Sequence, residues 1–243
     1  MTSLTSKISK LSRRVALVLS RHFVAVAALI CATLFAPVAA QANSFTLRLG
    51  YLSPRGDSRL WSENVATFDY VVNDFNGLVG GAEFDLELNE YVDLAMGVDG
   101  YSRSVASRYR DFVRDDGTEV LQDASLRVVP VTFGARFFPM GKFHVLLPYV
   151  AGGLGLYPFE YRERGEFIDF DTADIFGATY FDQGVGTGGY VAAGLEASLT
   201  PSFSVGGEFR RHFVSAGHSG DFGSYGDFDL DARQLSFGFT FRF

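Results

Sequence analysis

From residue 43 onward, apolar and polar positions alternate along the chain. The clearest stretch runs from Leu235, where Leu235, Phe237, Phe239, Phe241 and Phe243 fall on one face and Ser236, Gly238, Thr240 and Arg242 on the other. Successive side chains of a strand point to opposite faces, so a period of two predicts extended structure. The first such segment matches it, with Phe45, Leu47, Leu49 and Tyr51 opposite Thr46, Arg48 and Gly50. Six further segments repeat the pattern. Residues 77–88 set Ala82, Phe84, Leu86 and Leu88 against Glu83, Asp85 and Glu87. Residues 92–103 set Val92, Leu94, Met96 and Val98 against Asp93, Ala95, Gly97 and Asp99. Residues 125–138 set Val129, Val131, Phe133, Ala135 and Phe137 against Thr132, Gly134 and Arg136. Residues 146–161, 184–199 (carrying Glu196) and 203–215 complete the set, the last with Phe203, Val205, Gly207 and Phe209 opposite Ser204, Gly206, Glu208 and Arg210.

The connections alternate in length. Residues 89–91, the region around 140–142 and residues 200–202 are short turns. Residues 54–76, 104–124, 162–183 and 216–230 are long, polar and acidic, and are expected to be loops. Short turns at one end and long loops at the other describe an up-and-down meander. The fold class expected is all-β, an eight-stranded antiparallel barrel with both ends of the chain on the short-turn side.

The first forty-two residues read differently. They hold no acid, and Lys7, Lys10, Arg13, Arg14 and Arg21 precede an apolar run from Phe23 to Ala36. Small residues follow, so cleavage is expected after Ala40 or Ala42. This three-part pattern is that of a secretory signal peptide, which divides the chain into a leader, 1–42, and a barrel, 43–243. The run is short for a membrane-spanning helix, which needs about 20 residues. Cys31 lies inside it behind the bulky Ile30, which argues against lipidation, and no thiol remains after cleavage.

Charge narrows the function. The whole chain carries 21 basic and 28 acidic residues. Five of the basic ones fall in the leader, leaving 16 against 28, a formal charge of −12. That balance excludes a nucleic-acid binder, since phosphate neutralisation needs a basic surface.

Alternation alone leaves open whether the apolar face points inward, as in a soluble ligand-binding barrel, or outward into lipid. Segments of about ten residues suit a bilayer crossing by tilted strands. The aromatic residues on the apolar face suit interfacial girdles. The opposite face carries both signs of charge, which fits either case.

A resemblance decides between them. The final strand, with Phe239 and Phe241 leading to Phe243, resembles the assembly signal of Gram-negative outer-membrane barrels. The stretch Pro148-Tyr-Val-Ala-Gly-Gly-Leu-Gly-Leu-Tyr157 resembles a Pro-Tyr-Val-Gly strand of the small OmpA-like and OmpW-like barrel domains. The resemblance implies a transmembrane β-barrel in the outer membrane, reached through a cleaved leader. Its partners would be outer-membrane lipid and lipopolysaccharide and, transiently, the barrel-assembly machinery. A monomer is expected, with no cofactor and no metal.

Barrels of about eight strands have an interior that side chains fill. Arg48, Glu83, Asp85, Glu87, Asp99, Arg136, Glu196, Glu208 and Arg210 are therefore expected to pair in the lumen and hold it closed or nearly closed. Parity also turns Tyr149, Tyr157, Phe159 and Tyr190 inward, either as filler or as the lining of a small apolar pocket. The leading expectation is a non-enzymatic structural or surface protein. The alternatives are passive transport of small hydrophobic molecules and adhesion through the acidic loops.

Arg127 and Arg211 fall on outward parity near the long-loop end, where a guanidinium can fork onto a lipid phosphate. The acids of 111–123 and 162–182 lack the spacing of a calcium loop. Catalysis is not expected. His212 and Ser215 are three residues apart and face opposite ways on a strand. His218 and Ser219 are neighbours in a loop, with no geometry implied.

Overall fold

The computed structural model describes residues 43–217 and 220–243. The leader expected over 1–42 lies outside them, as do His218 and Ser219. Among the described residues there are ten strands: β1 (Asn43–Pro54), β2 (Gly77–Asn89), β3 (Val92–Val113), β4 (Glu119–Val128), β5 (Val131–Phe137), β6 (Leu146–Ile168), β7 (Ile175–Thr200), β8 (Phe203–Gly217), β9 (Asp227–Asp229) and β10 (Ala232–Arg242). All pairings are antiparallel and follow the chain, and β10 pairs with both β8 and β1. That last pairing closes a ring. Because β4 and β5 together fill one position between β3 and β6, the ring has eight strands. The expected segment 125–138 is thus one wall position broken at Val129-Pro130, where proline has no N–H for the ladder.

The short turns sit where expected. At Asn89 the side-chain oxygen accepts hydrogen bonds from the N–H groups of Tyr91 (2.8 Å) and Val92 (3.0 Å), a local turn that reverses the chain. At the next turn Gly141 takes φ +70°, a conformation that favours glycine.

The long connections differ from expectation. Residues 104–113, 119–124, 162–168 and 175–183 are strand rather than loop, so two hairpins, β3–β4 and β6–β7, rise well beyond the apolar belt. The first connection is not a free loop either. It forms helix α1 (Arg59–Thr67) and a 3-10 turn (Val72–Phe75), and it folds into the mouth of the barrel.

The reason is a change in which parity is apolar. Low on β3, Leu94, Met96 and Val98 point outward, while Asp93 and Asp99 are buried inside. Above Gly100 the buried side chains are Tyr101, Val105 and Tyr109, and Ser104, Ala106 and Arg108 face out. On β6, Leu146, Val150, Leu154 and Leu156 face out, then Tyr157, Phe159 and Tyr161 face in, with Glu160 and Arg162 outside. The switch marks the surface of the membrane. Below it, lipid demands apolar groups outside; above it, water does the reverse.

Candidate functional site: the barrel lumen

The lumen is filled in two layers of opposite chemistry. The lower layer is ionic. Arg48 donates from Nε and Nη2 to the two oxygens of Asp99 (2.7 and 2.6 Å) and from Nη1 to Glu83 (2.6 Å). Arg210 donates to Glu83 (2.8 Å) and to Glu208 (2.9 Å). Arg136 also donates to Glu83, and its other amine nitrogen lies 3.5 Å from Asp85 and 3.9 Å from Glu196. Glu83 therefore receives all three arginines. Two of the guanidinium groups stack on rings, Arg136 over Tyr149 and Arg210 over Tyr190, each 4.4 Å from the centroid.

These groups come together because β1, β2, β3, β5, β7 and β8 all turn their polar parity inward at one level. Glycines open the space. A side chain at Gly81 would meet Asp99, and one at Gly194 would meet the Tyr149 ring, at 2.1 and 2.3 Å.

Of the nine residues expected in the lumen, eight are fully buried there. Glu87 sits lower and half-buried, at the turn end, where it accepts from Lys142 (2.9 Å). Three further partners join the network: parity turns Tyr149 and Arg242 to the polar, inward face without assigning them to the network, and does not reach Lys142. Lys142 reaches in from a turn to Glu87 and Asp93. Arg242 pairs with Glu196 and bonds Ser204. Tyr149 donates to Glu208 (3.1 Å). Lys142 gives no strand signal, because it stands in a turn. It is, however, the only lysine after the leader, and that could have marked it.

The upper layer is apolar. Trp61 of α1 is 1% exposed and packs on Phe75, Phe228 and Tyr161, with centroids 5.0, 5.8 and 6.0 Å away. Leu60, Phe68 and Tyr70 add to this core against Val79, Tyr101, Leu126 and Phe159 of the wall. Between the layers lies a cavity of about 20 Å³, bordered by Leu52, Trp61, Tyr157 and His212 among others. Tyr157 and His212 are its polar floor. The imidazole lies between the Tyr157 hydroxyl (3.1 Å) and the Gln234 carbonyl (3.2 Å).

Two carboxyls are buried at this level, Asp182, opposite Tyr161 in the ladder, and Glu163. Glu163 is 4% exposed and accepts from Asn64 of α1 (2.6 Å) and from the Tyr161 hydroxyl (2.7 Å). Both donors are neutral, so burial dominates and pushes its pKa upward. A carboxyl raised on folding stabilises the folded form fully at acidic pH. That contribution is lost as pH rises through the raised value. The plug should thus hold α1 more tightly in acid. Trp61 is the only tryptophan, so its emission reports the plug directly. Emission should shift to the red as pH rises above the ordinary carboxylate range, and Glu163→Gln should flatten that profile. The same profile in both proteins would remove Glu163 as the cause.

The outward residues are placed as parity predicts. Phe239, Phe241 and Phe243 are exposed on the apolar belt, and Arg127 is exposed above it. His212 faces in and Ser215 faces out, so the two do not meet.

Comparison with known proteins places this architecture. No curated protein matches the sequence. Among solved structures, the outer membrane protein OprG from Pseudomonas aeruginosa is similar at 14% identity and a TM-score of 0.51, covering 84% of this chain and 97% of that one. Neisserial surface protein A is similar at 12% identity and a TM-score of 0.49, covering 83% of this chain and 97% of its own. At such identities the likeness concerns the fold alone. Residues 24–243 match the model of the outer membrane protein beta-barrel domain. With that match over most of its length, an eight-strand ring and an apolar belt turned outward, the chain belongs to the outer-membrane β-barrel family.

Proposed function

We propose that this protein is a non-enzymatic, integral outer-membrane barrel whose lumen is sealed, with a structural or surface role rather than a conducting one. It reaches the membrane through a cleaved leader and is assembled by way of its Phe243-ended strand. The observation that carries the reading is the pairing of two independent stoppers, the arginine–carboxylate layer around Glu83 and the Trp61 plug above it. The cavity between them, about 20 Å³, has room for about one water. A hydrophobic solute would have to displace the plug, and an ion would have to part a buried salt-bridge layer. Neither is favourable without a partner to replace the lost contacts.

The absence of catalysis is supported by His212. Both of its ring nitrogens are engaged, by Tyr157 and Gln234, and the nearest serine in sequence among the described residues, Ser215, is on the opposite face.

Planar-bilayer recording tests the seal. Purified, heat-modifiable protein should insert without discrete conductance steps at 1 M salt. Reproducible steps from folded protein would overturn the reading and turn attention to the ionic layer as a filter.

A further inference from the structure

The outward face holds one arrangement that the seal does not explain. Arg211 of β8 and Arg233 of β10 are directly opposed in the strand ladder. Both occupy lipid-facing parity. Phe209, Leu235 and Phe237 lie one or two positions below them and are broadly exposed. Like charges directly opposite each other destabilise a sheet, and arginine on the lipid face costs more the deeper it sits.

Among the described residues, neither flanking strand supplies an acid, and the nearest carboxylate along the chain, Asp231, forms no ion pair with either arginine but accepts from the Val214 N–H (2.6 Å). The other cross-strand neighbour of Arg211 is Val191, and that of Arg233 is Ser53. The Arg211 guanidinium lies over the Phe213 ring, 4.7 Å from its centroid, and its Nε is buried without a hydrogen-bond partner.

Four other outward arginines of the strands contrast with this pair. Arg127 is opposed by Glu160, and Arg164 by Asp123. Arg162 bonds Glu160 at 2.9 Å, and Arg108 pairs with Asp69 and Glu119. On a chain of strongly negative charge, two unneutralised guanidinium groups side by side stand out.

Height identifies what they meet. A strand tilted by about 40° rises about 2.5 Å per residue along the membrane normal. Arg233 lies ten residues from Phe243, so it stands about 25 Å above the turn end, close to the full height of an apolar belt. That is the level of the outer headgroups.

We propose that Arg211 and Arg233 form a two-pronged clamp for the phosphate of an outer-leaflet lipid, with acyl chains lying over Phe209, Leu235 and Phe237. Two forks on one phosphate replace mutual repulsion with charge-assisted hydrogen bonds. The ring of Phe213 sets the plane of one fork. Arg127, expected from parity alone to share this task, has an acidic neighbour instead and is not part of the clamp.

The test is retention of lipid A by the folded protein, read by native mass spectrometry from detergent. Full-length mature protein is loaded with bis-phosphorylated lipid A or with its dephosphorylated form. Wild type should retain the phosphorylated lipid about tenfold better. R211Q/R233Q should lose that preference, and R127Q should keep it. R211K/R233K, which keeps charge and loses the fork, should fall between them. Each variant is first checked for the heat-dependent band shift of a folded barrel, and R233Q alone serves if the double variant fails to fold. Equal retention by wild type and by the folded Arg211/Arg233 variants would overturn the clamp. So would displacement of the lipid by excess inorganic phosphate, which would mark a free-anion site. Neither result depends on whether the lumen conducts.

Discussion

Replacing Arg48 by methionine should destabilise the folded barrel by about 3–5 kcal/mol, the cost of removing one partner from a buried ion pair. The measurement is the urea midpoint of the heat-modifiable band in lipid vesicles. Arg48 supplies both bonds of a forked pair to Asp99 and a third to Glu83, and its side chain is almost wholly buried. Without it, the closest cation to Asp99 is Arg210 at 3.9 Å. The count of charges sharpens the expectation. Buried at this level are Arg48, Arg136 and Arg210 against Glu83, Asp85, Asp99, Glu196 and Glu208, and of those five acids only Glu196 has a further cation, Arg242. Loss of an arginine enlarges the excess of carboxylates, whereas loss of a carboxylate reduces it. Glu83→Gln should therefore cost less than Arg48→Met, although Glu83 touches more partners. The double variant should be less unstable than the two single costs added together. A larger loss for Glu83→Gln would show that local geometry outweighs charge balance in this layer.

Trp61→Ala should undock the plug while leaving the barrel folded. Truncating a fully buried tryptophan costs about 3–5 kcal/mol. The indole is the centre of an aromatic cluster that includes Phe75, Tyr161 and Phe228, and it donates to the Asp229 carbonyl (3.4 Å). Hydrogen exchange reads the effect by region. Amides of α1 should exchange a hundredfold faster or more, since about 1.4 kcal/mol is a factor of ten. Those of the belt-level strands β2, β5 and β8 should be unaffected, because the ionic layer does not touch the indole. Unchanged exchange in α1 would mean that the Asn64–Glu163 hydrogen bond, not the indole, holds the helix.

The strands within the membrane were legible because lipid imposes one rule on every outward position. Phe45, Leu47, Leu49 and Tyr51, or Val92, Leu94, Met96 and Val98, keep that rule without a break. The same rule turned Arg48, Glu83 and Arg136 inward. What parity could not supply was partner choice, such as Arg48 with Asp99 over Gly81 of the strand between them, because that depends on strand stagger and side-chain length. The upper strands were missed for a different reason. Residues 104–109 alternate as regularly as those below, but Val105 and Tyr109 face inward and the outward side holds Ser104, Ala106 and Arg108. Searched for an apolar outer face, such a stretch reads as a polar loop. The plug was missed because Leu60, Trp61, Phe68, Tyr70 and Phe75 follow no single period over residues 54–76. Their clustering in a connection otherwise polar was the available sign.

The inversion of parity also acts as a depth gauge. On β3 it falls at Gly100, on β6 at Tyr157 and on β1 at Leu52, each where a strand leaves the belt. A barrel carrying this mark on strand after strand cannot slide along the membrane normal or lean over without pressing Arg127, Glu160 or Arg162 into hydrocarbon, or lifting Leu49 and Leu156 into water. In a bilayer of mismatched thickness the lipid, rather than the protein, must stretch or thin around the ring. The hairpins that stand above it are thereby held at a fixed height over the membrane surface.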